Sequence, residues 1–402
     1  MRKNAVMKTV TEIDGGLCAP YGFQAVGVHA GLNVFQTEGI DLGLLVSDNR
    51  FQAAFLGSKS SVLTADVAQS KTRLKSGKAQ AILVHGVPTL ADDISMQASK
   101  RIARTLCEKL RCGLDEILIV SCGELNGYYP QSEIENNINT LIKKLDDEEL
   151  NEDVSSVFNG GKECAYAGML GAFPCKVGVL FKGASDKDGE VGTCCVMTTD
   201  VNVTAEMLGK ALRSAVAETL EMTDLGVERS PCDSVCIVAS AAAGNCRIDC
   251  ADSEYKKFCD ILKMVLCEIA TQMLKASKSN ARLMSCKVQG CKSQRAARAV
   301  ANSVVRSQGV KRAFEQGGAD LERIIAAICG TDEPLTMEKA SVLLRTPEKK
   351  IYLFDQGQPL RMAKRFIVEI VQENEFDVCI DFNDGNYGAT ARTALAGVET
   401  AQ

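Results

Sequence analysis

Short apolar runs alternate along this chain with longer stretches whose apolar residues recur at helical spacing. The segments "DLGLLVSD" (41–48), "QAILVHG" (80–86) and "DEILIVSCG" (115–123) are brief, rich in branched aliphatic residues and bounded by polar residues or glycine, which predicts buried strands. In "DISMQASKRIARTLCEKLR" (93–111) the apolar positions fall three and four apart, which predicts an amphipathic helix. Stretches 205–221, 255–276 and 293–307 carry the same period. "SEIENNINTLIKKLDDEELNEDV" (132–154) opens as a helix and closes in an acidic run, expected to be a solvated helix end or a linker. The C-terminal "KRFIVEIVQENEFDVCIDFNDGNYGATA" is expected to form a strand hairpin with a polar turn. The pattern implies an α/β fold with mixed sheets and flanking helices, without internal repeats.

Composition narrows the class. The chain has 402 residues, and at about 150 residues per domain two or three domains are expected. Apolar residues make up 46% and charged residues 24%, enough for a large core in an ordinary globular protein. A net charge of -5 argues against the basic surface that nucleic acid requires. The N-terminus "MRKNAVMKTVTEIDGG" lacks an apolar signal core. No apolar run approaches the ~18 residues of a membrane span, so a cytoplasmic protein without a membrane partner is expected.

Cysteine and histidine usage constrain the chemistry further. There are 18 cysteines but no Cys-x-x-Cys pair, and only 2 histidines, so a metal site is not expected. The thiols read as small reduced core residues. His29 lies in "GVHAGL" and His85 in "ILVHGVPT", and both read as partly buried residues near strand ends. No Gly-x-Ser-x-Gly or phosphate-binding glycine motif occurs. An acyl-transfer enzyme of this sequence would take its base from something other than histidine.

Several stretches, in order, carry a resemblance. They are "GGLCAPYGFQAVGVHAGL" (15–32), "VSCGELNGYYP" (120–130), "KGASDKDGEVGTCC" (182–195), "ARAVANSVVRSQGVKRAFEQGGADLERIIAAICG" (297–330) and "DVCIDFNDGNYGATA" (377–391). Together they resemble the ornithine acetyltransferase (glutamate N-acetyltransferase, ArgJ) family over nearly the whole chain. The resemblance implies an ArgJ/DmpA-like self-cleaving fold. One chain cuts itself before an internal threonine, which becomes the N-terminus of a second chain and the acyl-accepting nucleophile. The family pattern Lys-Gly-Ser-Gly-Met-Ile-x-Pro-Asn-Met-Ala-Thr-Met-Leu lines up without a gap, placing Lys182 and Gly183 at its start, Gly192 for its alanine and Thr193 for its threonine. This implies a cut between Gly192 and Thr193, with segments 1–192 and 193–402 as the two chains.

A hydroxyl nucleophile needs a base. The α-amine freed by the cut, with an unperturbed pKa of roughly 8, can serve as that base without histidine. The glycine before the cut is expected to permit an unusual backbone conformation. By the resemblance, Cys122 and Gly123 stand for the family's Thr-Gly oxyanion pair, and Lys182 for a substrate-contacting lysine. A thiol is a weaker donor than a hydroxyl, and losing one good oxyanion donor costs about 100–1,000-fold in rate. Ser279, in "SNARL", takes the place of a substrate-binding glutamate. The family's Asp-Gly-Asp-Thr-Ser-Thr-Asn-Asp becomes "GVERSPCD" (226–233), keeping Ser230 and Asp233.

The implied activity is an arginine-biosynthesis transfer of acetyl from N-acetylornithine to glutamate through an acetyl-threonine. Small amino acids are the substrates, and cleaved chains self-associate. No cofactor is implied, although acetyl-CoA serves some relatives as an alternative acetyl donor. A self-cleaving amidase or aminopeptidase with another substrate, and a non-catalytic relative, are the alternatives.

Overall fold

The computed structural model describes residues 10–32, 39–145, 154–184, 192–361 and 364–397. The chain begins with β1 (Val10–Ile13), β2 (Gln24–Val28), β3 (Leu42–Gly57), α1 (Ala65–Arg73), β4 (Lys78–His85), α2 (Asp93–Leu110), β5 (Ile117–Ser121) and α3 (Gln131–Leu145). There follow β6 (Lys162–Leu170), β7 (Phe173–Lys182), β8 (Cys194–Thr199), α4 (Ala205–Glu218), β9 (Thr223–Asp224), β10 (Ser234–Ala239) and α5 (Ser253–Ser277). The remainder comprises β11 (Arg282–Cys291), α6 (Gln294–Arg306), α7 (Gln308–Glu315), α8 (Leu321–Cys329), β12 (Ser341–Arg345), β13 (Lys350–Asp355), β14 (Gln358–Pro359), α9 (Lys364–Val371), β15 (Glu375–Asp381) and β16 (Tyr387–Leu395). The acidic run at 146–153 lies outside the described residues. Among the described residues, no helix is long and apolar enough to cross a membrane.

The described residues fall into two compact units. The first takes the described residues within 10–184, 192–215 and 228–266, the second those within 216–227 and 267–397. The first unit therefore takes residues from both sides of Gly192.

Its sheet runs β1-β6-β7-β8-β10-β3-β4-β5, with β2 paired to β3. The β5 run "ILIVS" is buried at every position because both faces of the strand are covered. Side chains alternate between faces. Ile117 and Ile119 join a core with Ile102 and Leu106 of α2 and Ile134, Ile138 and Leu141 of α3. Leu118, Val120 and Cys122 face the opposite core, with Leu180, Cys194, Val196, Cys232 and Val238. That alternation places Cys122 in the same apolar cluster as the start of β8. Helix α2 begins where Asp92 accepts the Ser95 N–H at 2.6 Å. It ends at Arg111, whose φ of 53° closes the last turn.

The second unit holds the sheet β14-β13-β12-β15-β11-β16-β9. Met284, Cys286 and Val288 of β11 and Val378 and Ile380 of β15 pack with Val300, Val304, Phe314 and Ile324 of the flanking helices. The C-terminal hairpin expected from the sequence does not form. "KRFIVEIV" is helix α9, and β11 lies between β15 and β16. The reason is periodicity. Ile370 and Val371, one turn beyond Phe366 and Ile367, are the buried pair on one helical side, and so short an apolar run fits either element.

Candidate functional site

Most of the residues singled out by the sequence gather at strand ends of the first unit. Lys182 closes β7 and pairs in register with Cys194, the first residue of β8. Cys194 in turn pairs with Ser234, the first residue of β10, in parallel register. Thr193 sits just before this junction and is partly exposed. Its N–H donates to Asp233 Oδ1 at 2.9 Å. Its carbonyl accepts the Ser234 N–H at 3.0 Å. Consecutive residues of the β10 lead-in therefore hold both backbone groups of Thr193.

Gly192 is buried against sulfur. A Cβ at this position would collide with Cys232 Sγ and come within 2.9 Å of Cys122 Sγ, and the Gly123 nitrogen lies 3.8 Å from the same point. Space thus gives a reason for glycine here. Segment 185–191, which leads into it, lies outside the described residues. Gly123 is constrained as well. It has φ 155°, and a Cβ there would run into the Gly86 carbonyl oxygen.

The two thiols beside Gly192 differ in character. Cys122 is pushed well above the ordinary thiol value, first by its hydrogen bond with Cys232, then by burial, then by the charges of Cys232 and Cys194; the Lys182 charge pulls it down. Cys232 is lowered, first by its hydrogen bond with Cys122; burial opposes the shift, while Ser230 and the Gly123 backbone N–H assist it. The Ser230 hydroxyl lies 3.1 Å from Cys232 Sγ. The Gly123 N–H is therefore directed at a sulfur that touches Gly192. Lys182 is only 4% exposed, and its charge reaches the Cys122 thiol.

Asp233 was legible in the sequence only as a survivor of a family motif. Burial raises its carboxyl above the usual range, against the N–H groups of Thr193 and Ser230 and the charge of Arg229. Oδ2 accepts the Ser230 N–H at 3.0 Å. The turn carrying it is tied down in addition: the Ser58 hydroxyl donates to the Ser230 carbonyl at 2.7 Å, and the Thr64 N–H to the Pro231 carbonyl at 3.3 Å.

Below Cys122 and Gly123 lies a buried polar network. Asp66 of α1 accepts from Ser99 Oγ at 2.8 Å and Tyr129 OH at 2.7 Å on Oδ1. On Oδ2 it accepts from Ser121 Oγ at 2.8 Å and pairs with His85 Nε2 at 3.1 Å. The Val87 N–H donates to His85 Nδ1 at 3.3 Å, which leaves Nε2 as the protonated nitrogen facing the carboxylate. Burial alone would raise the Asp66 carboxyl, but the His85 hydrogen bond, then those of Tyr129 and Ser121, outweigh it and hold it below the usual range. The Cys122 N–H donates to the His85 carbonyl at 3.2 Å. The network thereby fixes the ends of β4 and β5 from which Gly123 projects. His29 stands elsewhere, its Nδ1 2.9 Å from the Gly39 carbonyl.

Ser279 belongs to the second unit, in the exposed turn that follows α5. The structure thus brings together Cys122, Gly123, Lys182, Gly192 and Thr193, adds Ser230, Cys232 and Asp233, and places Ser279 in the other unit. None of the 18 cysteines is in a disulfide. Among the described residues no group of three or more His, Cys, Asp or Glu side chains could hold a metal ion.

Comparison with known proteins gives the context for this constellation. The chain is similar to the arginine biosynthesis bifunctional protein ArgJ of Staphylococcus epidermidis, at 24% identity over 380 residues, covering 93% of this chain and 94% of that protein. It is similar to the ArgJ protein of Geobacillus stearothermophilus at 27% identity, covering 82% of each. Among solved structures, the ArgJ protein of Bacillus halodurans matches with a TM-score of 0.46 and 22% identity, covering 49% of this chain and 91% of that one. The family model described as the ArgJ family matches residues 24–395. That match runs along almost the whole sequence, and this chain belongs to the ArgJ family.

Proposed function

We propose that this chain is an acetyltransferase of arginine biosynthesis that cuts itself between Gly192 and Thr193 and then moves acetyl from N-acetylornithine to glutamate on Thr193. One observation carries the reading: the Thr193 nitrogen is held at 2.9 Å by a carboxylate, while the preceding Gly192 packs beside the Gly123 N–H. Family membership supports it, as do the names of the relatives.

In the cut, Thr193 Oγ adds to the Gly192 carbonyl carbon, the C–N bond breaks, and the hydroxyl proton ends on nitrogen. Water then hydrolyses the ester, releasing the Gly192 carboxylate and restoring the Thr193 hydroxyl beside its free α-amine. In the transfer, that amine takes the hydroxyl proton as Oγ attacks the acetyl carbon of N-acetylornithine. Ornithine leaves with a proton, and glutamate accepts the acetyl group in a second passage over the same tetrahedral geometry. The Gly123 N–H supports the developing oxyanion, and the Lys182 ammonium attracts a substrate carboxylate. Acetyl-CoA is the alternative acetyl donor to assay.

The test incubates the purified chain with N-acetylornithine and glutamate and measures N-acetylglutamate and ornithine. Equimolar formation of both is expected, and it should be lost in Thr193→Ala. A cut chain that gives no transfer but hydrolyses other amides would replace this reading with an amidase. An uncut, inactive chain would leave a non-catalytic relative.

A further inference from the structure

We propose that Asp233 is a catalytic residue, whose carboxylate holds the Thr193 nitrogen through both the cutting step and the transfer step and tunes the freed amine as a base. This rests on the reading of Thr193 as an N-terminal nucleophile.

The geometry is specific. Each carboxylate oxygen accepts one backbone N–H: Oδ1 from Thr193 at 2.9 Å and Oδ2 from Ser230 at 3.0 Å. The Ser230 bond is local and would by itself shape the turn. The Thr193 bond reaches across 40 positions of sequence to the one nitrogen whose bonding changes in the reaction. Because Ser234 holds the Thr193 carbonyl, the residue is fixed on both sides while its nitrogen passes from amide to amine. A free amine rotates about its Cα–N bond. One N–H anchored on Oδ1 restricts that rotation, so the lone pair keeps one direction relative to Oγ.

Charge gives the second half of the role. A carboxylate within contact distance stabilises an ammonium and moves its pKa up by about 1–3 units. The charged and titratable groups that face Asp233 are Arg229 and Cys232 on its own turn and Cys194 on β8. Beyond Cys232 stand Cys122, at the end of β5, and Lys182, at the end of β7.

The experiment compares wild type, Asp233→Asn and Asp233→Ala, with Thr193→Ala as an uncut reference for melting. A gel time course reads the rate of cutting, and acetyl transfer by the cut material is measured against pH. Asp233→Asn keeps an acceptor but not the charge. It should cut about 10-fold more slowly and move the acid limb of the transfer profile down by about one pH unit or more. Asp233→Ala should cut about 100-fold more slowly. Both should melt within a few degrees of Thr193→Ala. Cutting at the wild-type rate with an unmoved pH limb overturns the proposal. So does a loss of cutting that merely follows a fall in melting temperature while the residual cut fraction keeps the wild-type pH profile. Failure of the wild type itself to cut would instead overturn the nucleophile reading, so the two failures are distinguishable.

Discussion

Replacing Asp66 tests how the candidate site is supported from below. The carboxylate is fully buried and accepts from Ser99, Tyr129, Ser121 and His85. It also balances Arg73, a guanidinium 6% exposed whose charged form is disfavoured by burial and favoured by Asp66. Asp66→Ala strands these donors and leaves the Arg73 charge uncompensated. Removing one partner from a buried charged network costs about 3–5 kcal/mol, or about 10 °C in melting temperature for a unit of this size. Asp66→Asn should cost less, about 1–2 kcal/mol. Its amide oxygen can keep the His85 N–H, while the hydroxyls of Ser99 and Tyr129 turn to accept from its NH₂ group. Urea titration of both variants in the Thr193→Ala background reads these differences without interference from cutting. In the cutting-competent chain the same order should appear in the rate, because Ser121 directly precedes Cys122 and Gly123. An Asp66→Ala variant within about 1 kcal/mol of its parent, or one that cuts at full rate, would refute the claim that this network positions the Gly123 N–H.

Three further outcomes are expected. Gly192→Ala should slow cutting about 100-fold on a gel time course, because its Cβ would run into the sulfurs of Cys232 and Cys122; cutting at the parental rate would show that the packing is not needed. Cys122→Ser should raise transfer turnover about 10-fold, since a hydroxyl donates better than a thiol, and Cys122→Ala should lower it; the opposite order in kcat would remove Cys122 from the oxyanion role. Asp66 should also shape acid stability. Its carboxyl is held below the usual range when folded, so its contribution is present above the unfolded value of about 3.9 and is lost as pH falls through the lower folded value. Urea midpoints measured from pH 7 down to acid should fall less steeply in Asp66→Asn, and parallel curves would contradict the assignment.

Much of the fold was readable in the periodicity of the chain. The long apolar-periodic stretch at 93–111 and the run at 115–123 became α2 and β5 because local preference and burial agree there. "KRFIVEIV" misled because eight residues with adjacent apolar pairs fit a strand or a helix, and only packing in the second unit decides. Where a motif was continuous, as at Lys182, Gly192 and Thr193, the structure places its residues at adjoining strand ends. Asp233 was not legible as a partner of Thr193, because their hydrogen bond joins residues far apart in sequence through the parallel pairing of β8 and β10. His85 read as a partly buried strand-end histidine; it does close β4, but it is fully buried. Its carboxylate partner lies 19 positions earlier on α1, and nothing in the spacing announces it. The two thiols beside Gly192 look alike in sequence. Only the fold shows that they touch each other and Gly192.

The central claim is that Thr193 becomes a chain terminus. Intact-mass measurement with N-terminal sequencing of the purified protein tests it most directly. The account predicts two chains, 1–192 and 193–402, the second beginning Thr193-Cys194-Cys195 with a free α-amine, and a single uncut chain in Thr193→Ala. A wild-type protein that stays at 43.1 kDa, or that is cut at any other bond, would contradict it.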